Sequence, residues 1–186
     1  SNGIYIMAFK QRVLFFADCT AQINPKAEDL CEIAASTAQV FRDIMKREPR
    51  VAFLSFSNFG SNEHHEARKV KEAVRLTKQK YPSIVCDGEM QADVATNPQI
   101  MKNLFNFCTL DKPADILIFP DLNSANISYK LLTQLGDAHA IGPLLVPMAK
   151  TVNIIARTAS VNEIVNMSIL TAIMAHKRIS NEKSNH

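Results

Sequence analysis

The sequence predicts an α/β fold, a mostly parallel sheet with helices on both faces. Three observations carry that expectation. Short apolar runs alternate with longer amphipathic segments, which is the order of βαβ units. Two of the runs, VAFLSF at 51–56 and ILIF at 116–119, are apolar almost throughout, as in strands buried on both faces. The longer segments are punctuated by Asn-Pro, Ser and Gly, the residues that start and stop helices.

The elements follow in order. Residues 4–9 and 13–17 are apolar and separated by Lys10-Gln11-Arg12, so a hairpin is expected. Asn24-Pro25 opens a helix, with Asn24 as cap and Pro25 in the first turn. Its inward face is Leu30, Ile33, Ala34, Thr37, Ala38 and Phe41, at helical spacing, and Pro49 ends it. After the strand 51–56, Gly60 permits a tight turn and Ser61 caps a helix over 62–80. A short strand at 83–86 leads into the polar stretch DGEMQADVATNP, and Pro98 starts a helix to about 107. The strand 115–119 feeds a helix over 125–135 that stops at Gly136. Gly142-Pro143 begins an apolar stretch, 152–155 is a strand, and 161–176 is the last helix. The tail NEKSNH is expected to be disordered.

The chain of 186 residues is 47% hydrophobic and 21% charged, enough for one core or two small lobes. A net charge of +3 is too small to indicate a nucleic-acid partner, and no apolar run is long enough to cross a bilayer. The opening run IYIMAF is consistent with a piece of a longer chain, with Ser1-Asn2 a remnant of tag removal. No secretory signal is read there. The four cysteines Cys19, Cys31, Cys86 and Cys108 have no CxxC or metal spacing and are expected to be reduced, mostly buried thiols of a cytoplasmic protein.

In open α/β sheets ligands gather where strands end and helices begin. Three loops stand out there, 55–62, 87–98 and 119–130, and the first and third lead into helix starts rich in small hydroxyl and amide residues. Helix N-termini suit anions, yet Ser and Asn before a helix are ordinarily plain caps. Neither a P-loop nor a GxGxxG fingerprint is present. Arg157, in a turn before the last helix, has the chemistry to clamp phosphate, or simply to pair with a nearby carboxylate. His64 and His65 point in different directions on a helix and read as surface residues. The run Arg68, Lys69, Lys71, Arg75, Lys78, Lys80 reads as a solvated face, the alternative being attraction of a nucleotide phosphate. From the residues alone the reading stops at an α/β domain with candidate anion-binding loops.

LSFSNFGS, DGEMQADVA, IFPDLNSANISYK, AIGPLL and ART-ASVNEIVN, in that order, resemble the phosphate acetyl/butyryltransferase family over nearly the whole chain. The resemblance implies an isocitrate/isopropylmalate dehydrogenase-like fold in which this chain is the C-terminal half of a two-lobed phosphotransacetylase. Residues 1–150 would form one lobe, 151–178 the closing strand and helix of the other, and 179–186 a free tail. It also implies acetyl-CoA or phosphate contacts at Ser57, Asn126, Tyr129, Lys130, Arg157 and Glu163, and a homo-oligomer, a dimer through this half.

The departures from the family pattern bear on activity. Active members carry Ser-Arg-Gly in the last block and an Asp shortly after; here stand Ala156, Arg157, Thr158 and Glu163. Loss of the hydroxyl removes an oriented donor that can supply a few kcal/mol to a transition state. The family's GNIGYK is here ANISYK, with Ala125 and Ser128 for glycines. SNFGSN, EMQADVA and EIVNM are most similar to one branch, the C-terminal domain of bacterial NADP-dependent malic enzymes. That likeness implies a degenerate domain that binds acetyl-CoA as an allosteric effector and supports assembly, with no catalytic residue of its own. NADP and Mg or Mn would belong to a malic enzyme module outside this chain. The alternative is an active acyltransferase working between coenzyme A and phosphate. Neither nucleic acid nor membrane is an expected partner.

Overall fold

Val51, Ala52, Phe53 and Leu54 are all buried, so the strand that holds them must be covered on both sides. A computed structural model describes residues 2–17, 20–146, 151–155, 157 and 159–184. The strands are β1 (Asn2–Ala8), β2 (Val13–Ala17), β3 (Arg50–Leu54), β4 (Val85–Met90), β5 (Ile116–Ile118) and β6 (His139–Val146). The helices are α1 (Ala27–Met45), α2 (His65–Lys80), α3 (Ala92–Thr96), α4 (Pro98–Leu104), α5 (Leu122–Leu135) and α6 (Val161–Ser184).

The sheet has the order β4-β3-β5-β2-β1-β6. β2, β5, β3 and β4 pair in parallel, while β1 is antiparallel to both β2 and β6. The reversal follows from chain length. Only a tight turn, closed by the Phe9 N–H donating to the Arg12 carbonyl at 2.9 Å, joins β1 to β2, and a parallel pair needs a long crossover.

Side chains alternate between the two faces. Ile4, Ile6, Phe15, Val51, Phe53 and Ile116 meet α1, α2 and α6 on the first face. Met7, Leu14, Phe16, Ala52, Leu54 and Leu117 meet α3, α4 and α5 on the second. Phe15 packs edge-on against Phe41 of α1 at 4.9 Å, and each such buried ring stabilises the fold by about 1.5–3 kcal/mol.

Several element boundaries differ from the sequence reading. α1 starts at Ala27, where the Lys26 N–H donates to Asp29 at 2.9 Å, and Asn24 serves elsewhere. It ends at a left-handed Lys46, with φ of 55°, before Pro49 is reached. α2 starts at His65, not at 62, and its cap is the His64 ring, which accepts the Glu66 N–H at 3.3 Å. β4 continues through Asp87 and Glu89 to Met90, so the stretch taken for a polar loop is largely strand and short helix. It can be so because Asp87 is fully paired. Lys78 Nζ lies 2.8 Å from Oδ1, and the Thr109 N–H and hydroxyl reach Oδ2 at 2.6 and 2.9 Å.

α5 begins earlier than expected, at Leu122, with Asp121 accepting the Ser124 N–H at 2.8 Å, and stops at Gly136 as expected. Residues 152–155 do not form a strand. They touch the free edge of β6 through one bridge, Leu144 to Asn153, too few pairs for a ladder, and Val152 and Ile154 remain exposed. α6 runs past 176 to Ser184, into the segment expected to be disordered. Among the described residues no helix is long and apolar enough to cross a membrane.

Candidate functional site

β3, β4 and β5 run in parallel, so their carboxyl ends open on one side of the sheet. The 55–64 loop after β3 is sewn to the end of β4. The Ser55 N–H donates to the Met90 carbonyl at 2.9 Å, the Phe59 N–H to the Glu89 carbonyl at 2.7 Å, and the Gln91 N–H to Asn58 Oδ1 at 2.7 Å. The Gln91 amide closes the circuit on the Phe56 carbonyl at 2.6 Å. Phe59 and Gly60 both have positive φ, 49° and 86°, which turns the loop back toward α2.

At the centre of that circuit lies Glu89. Its Oε1 accepts the Ser57 hydroxyl at 2.8 Å and the Gly60 N–H at 2.6 Å. Ser57 is fully buried, and its Oγ also accepts the Asn62 N–H at 3.1 Å and lies 3.2 Å from Ser61 Oγ. Ser57 is thus a strut of the loop, with its donor spent on Glu89.

A second fastening crosses the same end of the sheet. Lys69 does not belong to a solvated face. Its ammonium reaches Glu66 at 2.6 Å, Asn24 Oδ1 at 2.9 Å and the Pro120 carbonyl at 3.1 Å. It ties the start of α2 to the loop before α1 and to the approach of α5. Charge-assisted bonds to several acceptors are among the stronger polar contacts.

The remaining expected site residues are spread apart. On α5, Asn126 and Tyr129 are half-buried and Lys130 is exposed. Tyr129 stacks on Tyr5 of β1 at 4.3 Å, and Lys130 Nζ lies 5.3 Å from the Tyr129 ring. α5 covers the second face, whereas α6 packs on the first beside α1. Arg157 is exposed in the turn before α6 and makes no ion pair among the described residues. Glu163 closes a capping box: its Oε2 accepts the Ser160 N–H at 2.6 Å and its own N–H donates to the Ser160 hydroxyl at 3.3 Å. Those bonds hold its carboxyl below the usual range. Lys130 over Tyr129 is the contact the structure shows between members of this set; Ala156 and Thr158 lie outside the described residues.

Ala125 is fully buried in the second core, so its methyl faces the sheet and not a ligand. Cys31 and Cys86 are buried and Cys108 is half-buried. Burial pushes the Cys86 and Cys108 thiols up to about 11. His65 is exposed, but His64 has a structural task as cap. Sequence reasoning missed Asp87, Glu89 and Lys69. A weak signal was present for the first two, acids flanking a glycine directly after a β-prone Val-Cys pair.

The sequence pattern of the phosphate acetyl/butaryl transferase family matches residues 1–172. The phosphate acetyltransferase of Clostridium acetobutylicum is 38% identical over 184 residues, covering 96% of this chain and 55% of the relative. That of Bacillus subtilis is 38% identical over 178 residues, covering 94% of this chain and 54% of the relative. A phosphotransacetylase structure from Streptococcus pyogenes superposes with a TM-score of 0.89 at 35% identity, over 95% of this chain and 54% of that one. The chain therefore spans about half the length of the relatives it matches. These likenesses correct the expectation of a degenerate regulatory domain of an NADP-dependent malic enzyme: these relatives are phosphate acetyltransferases and the solved structure is a phosphotransacetylase.

Proposed function

The chain belongs to the phosphate acetyl/butaryl transferase family, and from that premise we propose that it supplies one half of an enzyme moving an acetyl group between coenzyme A and inorganic phosphate. The observation that carries this reading is identity of 38% to phosphate acetyltransferases across nearly the whole chain. The reaction is proposed for the complete protein, since the chain spans about half of those relatives.

Toward acetyl phosphate, a phosphate oxygen attacks the thioester carbonyl carbon. A C–O bond forms, the C–S bond breaks, and the coenzyme A sulfur leaves with the electron pair and takes up the proton that phosphate gives up. The protein must hold a dianion and offer donors to a carbonyl oxygen that gains charge. Arg157, exposed and unpaired among the described residues, is suited to the first task. Lys130 is a second cation, on α5, and Asn126 a neutral donor one turn before it.

Ala125 does not weigh against turnover, because its methyl fills the core. Of the other departures, Ala156 is the one that removes a hydroxyl. Ala156→Ser would restore a hydroxyl, and one oriented donor is worth up to about 10²-fold in kcat. The reading is tested by incubating the protein, expressed from its complete gene, with acetyl-CoA and inorganic phosphate. Phosphate-dependent release of free thiol, with acetyl phosphate formed in equal amount, is expected. No release above the protein-free control would overturn it.

A further inference from the structure

Glu89 has a setting that the proposed reaction does not by itself explain. The β3–β4 ladder pairs Phe53 with Gly88 and then Leu54 with Met90, so Glu89 is the extra residue of a bulge. In a regular strand Cys86 and Met90 would share a face. Here Cys86 lies in the first core and Met90 in the second. Bulges re-aim side chains and are frequent beside active sites. Gly88 makes this one possible: its φ is +140°, and a Cβ there would stand 2.7 Å from the Phe53 carbonyl oxygen.

The bulge delivers a carboxyl group that is 1% exposed into the 55–64 loop. Oε1 takes both donors, the Ser57 hydroxyl and the Gly60 N–H, and Oε2 has no partner among the described residues. An unmatched buried acceptor costs about 1–3 kcal/mol. Stability alone does not favour such a residue, and positions that break a local rule in this way cluster at functional sites. The rim that Glu89 fixes also carries the Lys71 ammonium, 3.3 Å from the point where a Gly60 Cβ would lie. Backbone held close beside a cation is an arrangement suited to phosphate groups.

We propose that Glu89 is a positioning residue for acyl transfer: through Ser57 and Gly60 it holds the 55–64 loop in the shape that the phosphate-bearing substrates meet at the carboxyl end of the sheet. This rests on the transferase reading above. What matters is the acceptor at Oε1, not the charge.

The test compares Glu89→Gln and Glu89→Ala in the complete protein. Gln keeps the Oε1 acceptor, so its KM for acetyl-CoA and phosphate stays within about threefold, whereas Ala raises one of them about tenfold or more with kcat changed less than KM. Amide hydrogen exchange at Gly60 and Asn62 is followed in the same proteins, without substrate. Faster exchange in Ala but not in Gln is expected. Gln as defective as Ala in KM or kcat would overturn the proposal, as would Ala indistinguishable from the unsubstituted protein in kinetics or in exchange. If the unsubstituted protein transfers no acetyl group, the transferase reading fails. Exchange then decides alone: protection lost in Ala and kept in Gln supports loop positioning by Glu89, and any other pattern overturns it.

Discussion

The end of β4 with its loop, and the arm that leads into α6, are opposite kinds of region. In the first, Ser57 and Glu89 are buried, and nearly every polar group has a partner within the chain. In the second, Arg157 and Glu163 are exposed, and α6 shows Val161, Ile164, Val165 and Ile169 to solvent at 76%, 46%, 48% and 53%. Met167 is the residue of α6 buried to 3%. One region completes its own packing; the other displays side chains of the kind that ordinarily meet another surface. Polar groups in the first are set by the fold of this chain, whereas those in the second are attached to it but not framed by it.

The largest expected effect breaks that contrast on the exposed side. Arg157→Ala should lower acetyl transfer by the complete protein about 10²-fold, as loss of one charge-stabilising group typically does, while leaving its melting temperature unchanged. Steady-state kinetics and calorimetry on one preparation check it. A comparable loss of stability would show that Arg157 is a structural residue.

Gly88→Ala comes next, on the buried side. A methyl group placed against the Phe53 carbonyl, at a φ that L-residues avoid, should cost about 1–3 kcal/mol in denaturant unfolding. Asp87→Asn should cost about 1–3 kcal/mol by the same measurement. Burial works to raise the Asp87 pKa, but the Lys78 ammonium and the Thr109 donors outweigh it and hold the carboxyl below its ordinary value. A depressed folded pKa gives stability that is present above the unfolded value, about 3.9, and is lost as pH falls through the folded one. Below about pH 4 the unsubstituted protein should therefore lose stability more steeply than Asp87→Asn.

The smallest effect is predicted for α6. Ile164→Lys and Ile169→Lys should each shift the unfolding free energy of this chain by no more than about 0.5 kcal/mol. A loss of several times that would place those residues in a core, and the contrast between the two regions would fall.

The strands of the sheet were legible because burial on both faces leaves a run such as Val51–Leu54 continuously apolar. So were the hairpin and the stop at Gly136, where local chemistry decides. The course of β4 was not, since Asp87 and Glu89 read as turn residues until Lys78, Thr109 and Ser57 are brought to them by the fold. Lys69 looked solvated because its acceptors, Asn24 and Pro120, lie 45 and 51 residues away in sequence. Residues 152–155 had the composition of a strand but among the described residues join the β6 edge at Asn153 alone. Family membership was carried by five collinear motifs. The branch within it rested on three short stretches, SNFGSN, EMQADVA and EIVNM, too little to set one branch apart, and of the departures read as decay packing explains Ala125.

The measurement that tests the central claim most directly is exchange of labelled inorganic phosphate into acetyl phosphate by the complete protein, with and without coenzyme A. Exchange that requires coenzyme A and is absent without it is the predicted result, because the acetyl group must pass through the thioester. Exchange that is absent under both conditions, or that is indifferent to coenzyme A, would contradict the assignment.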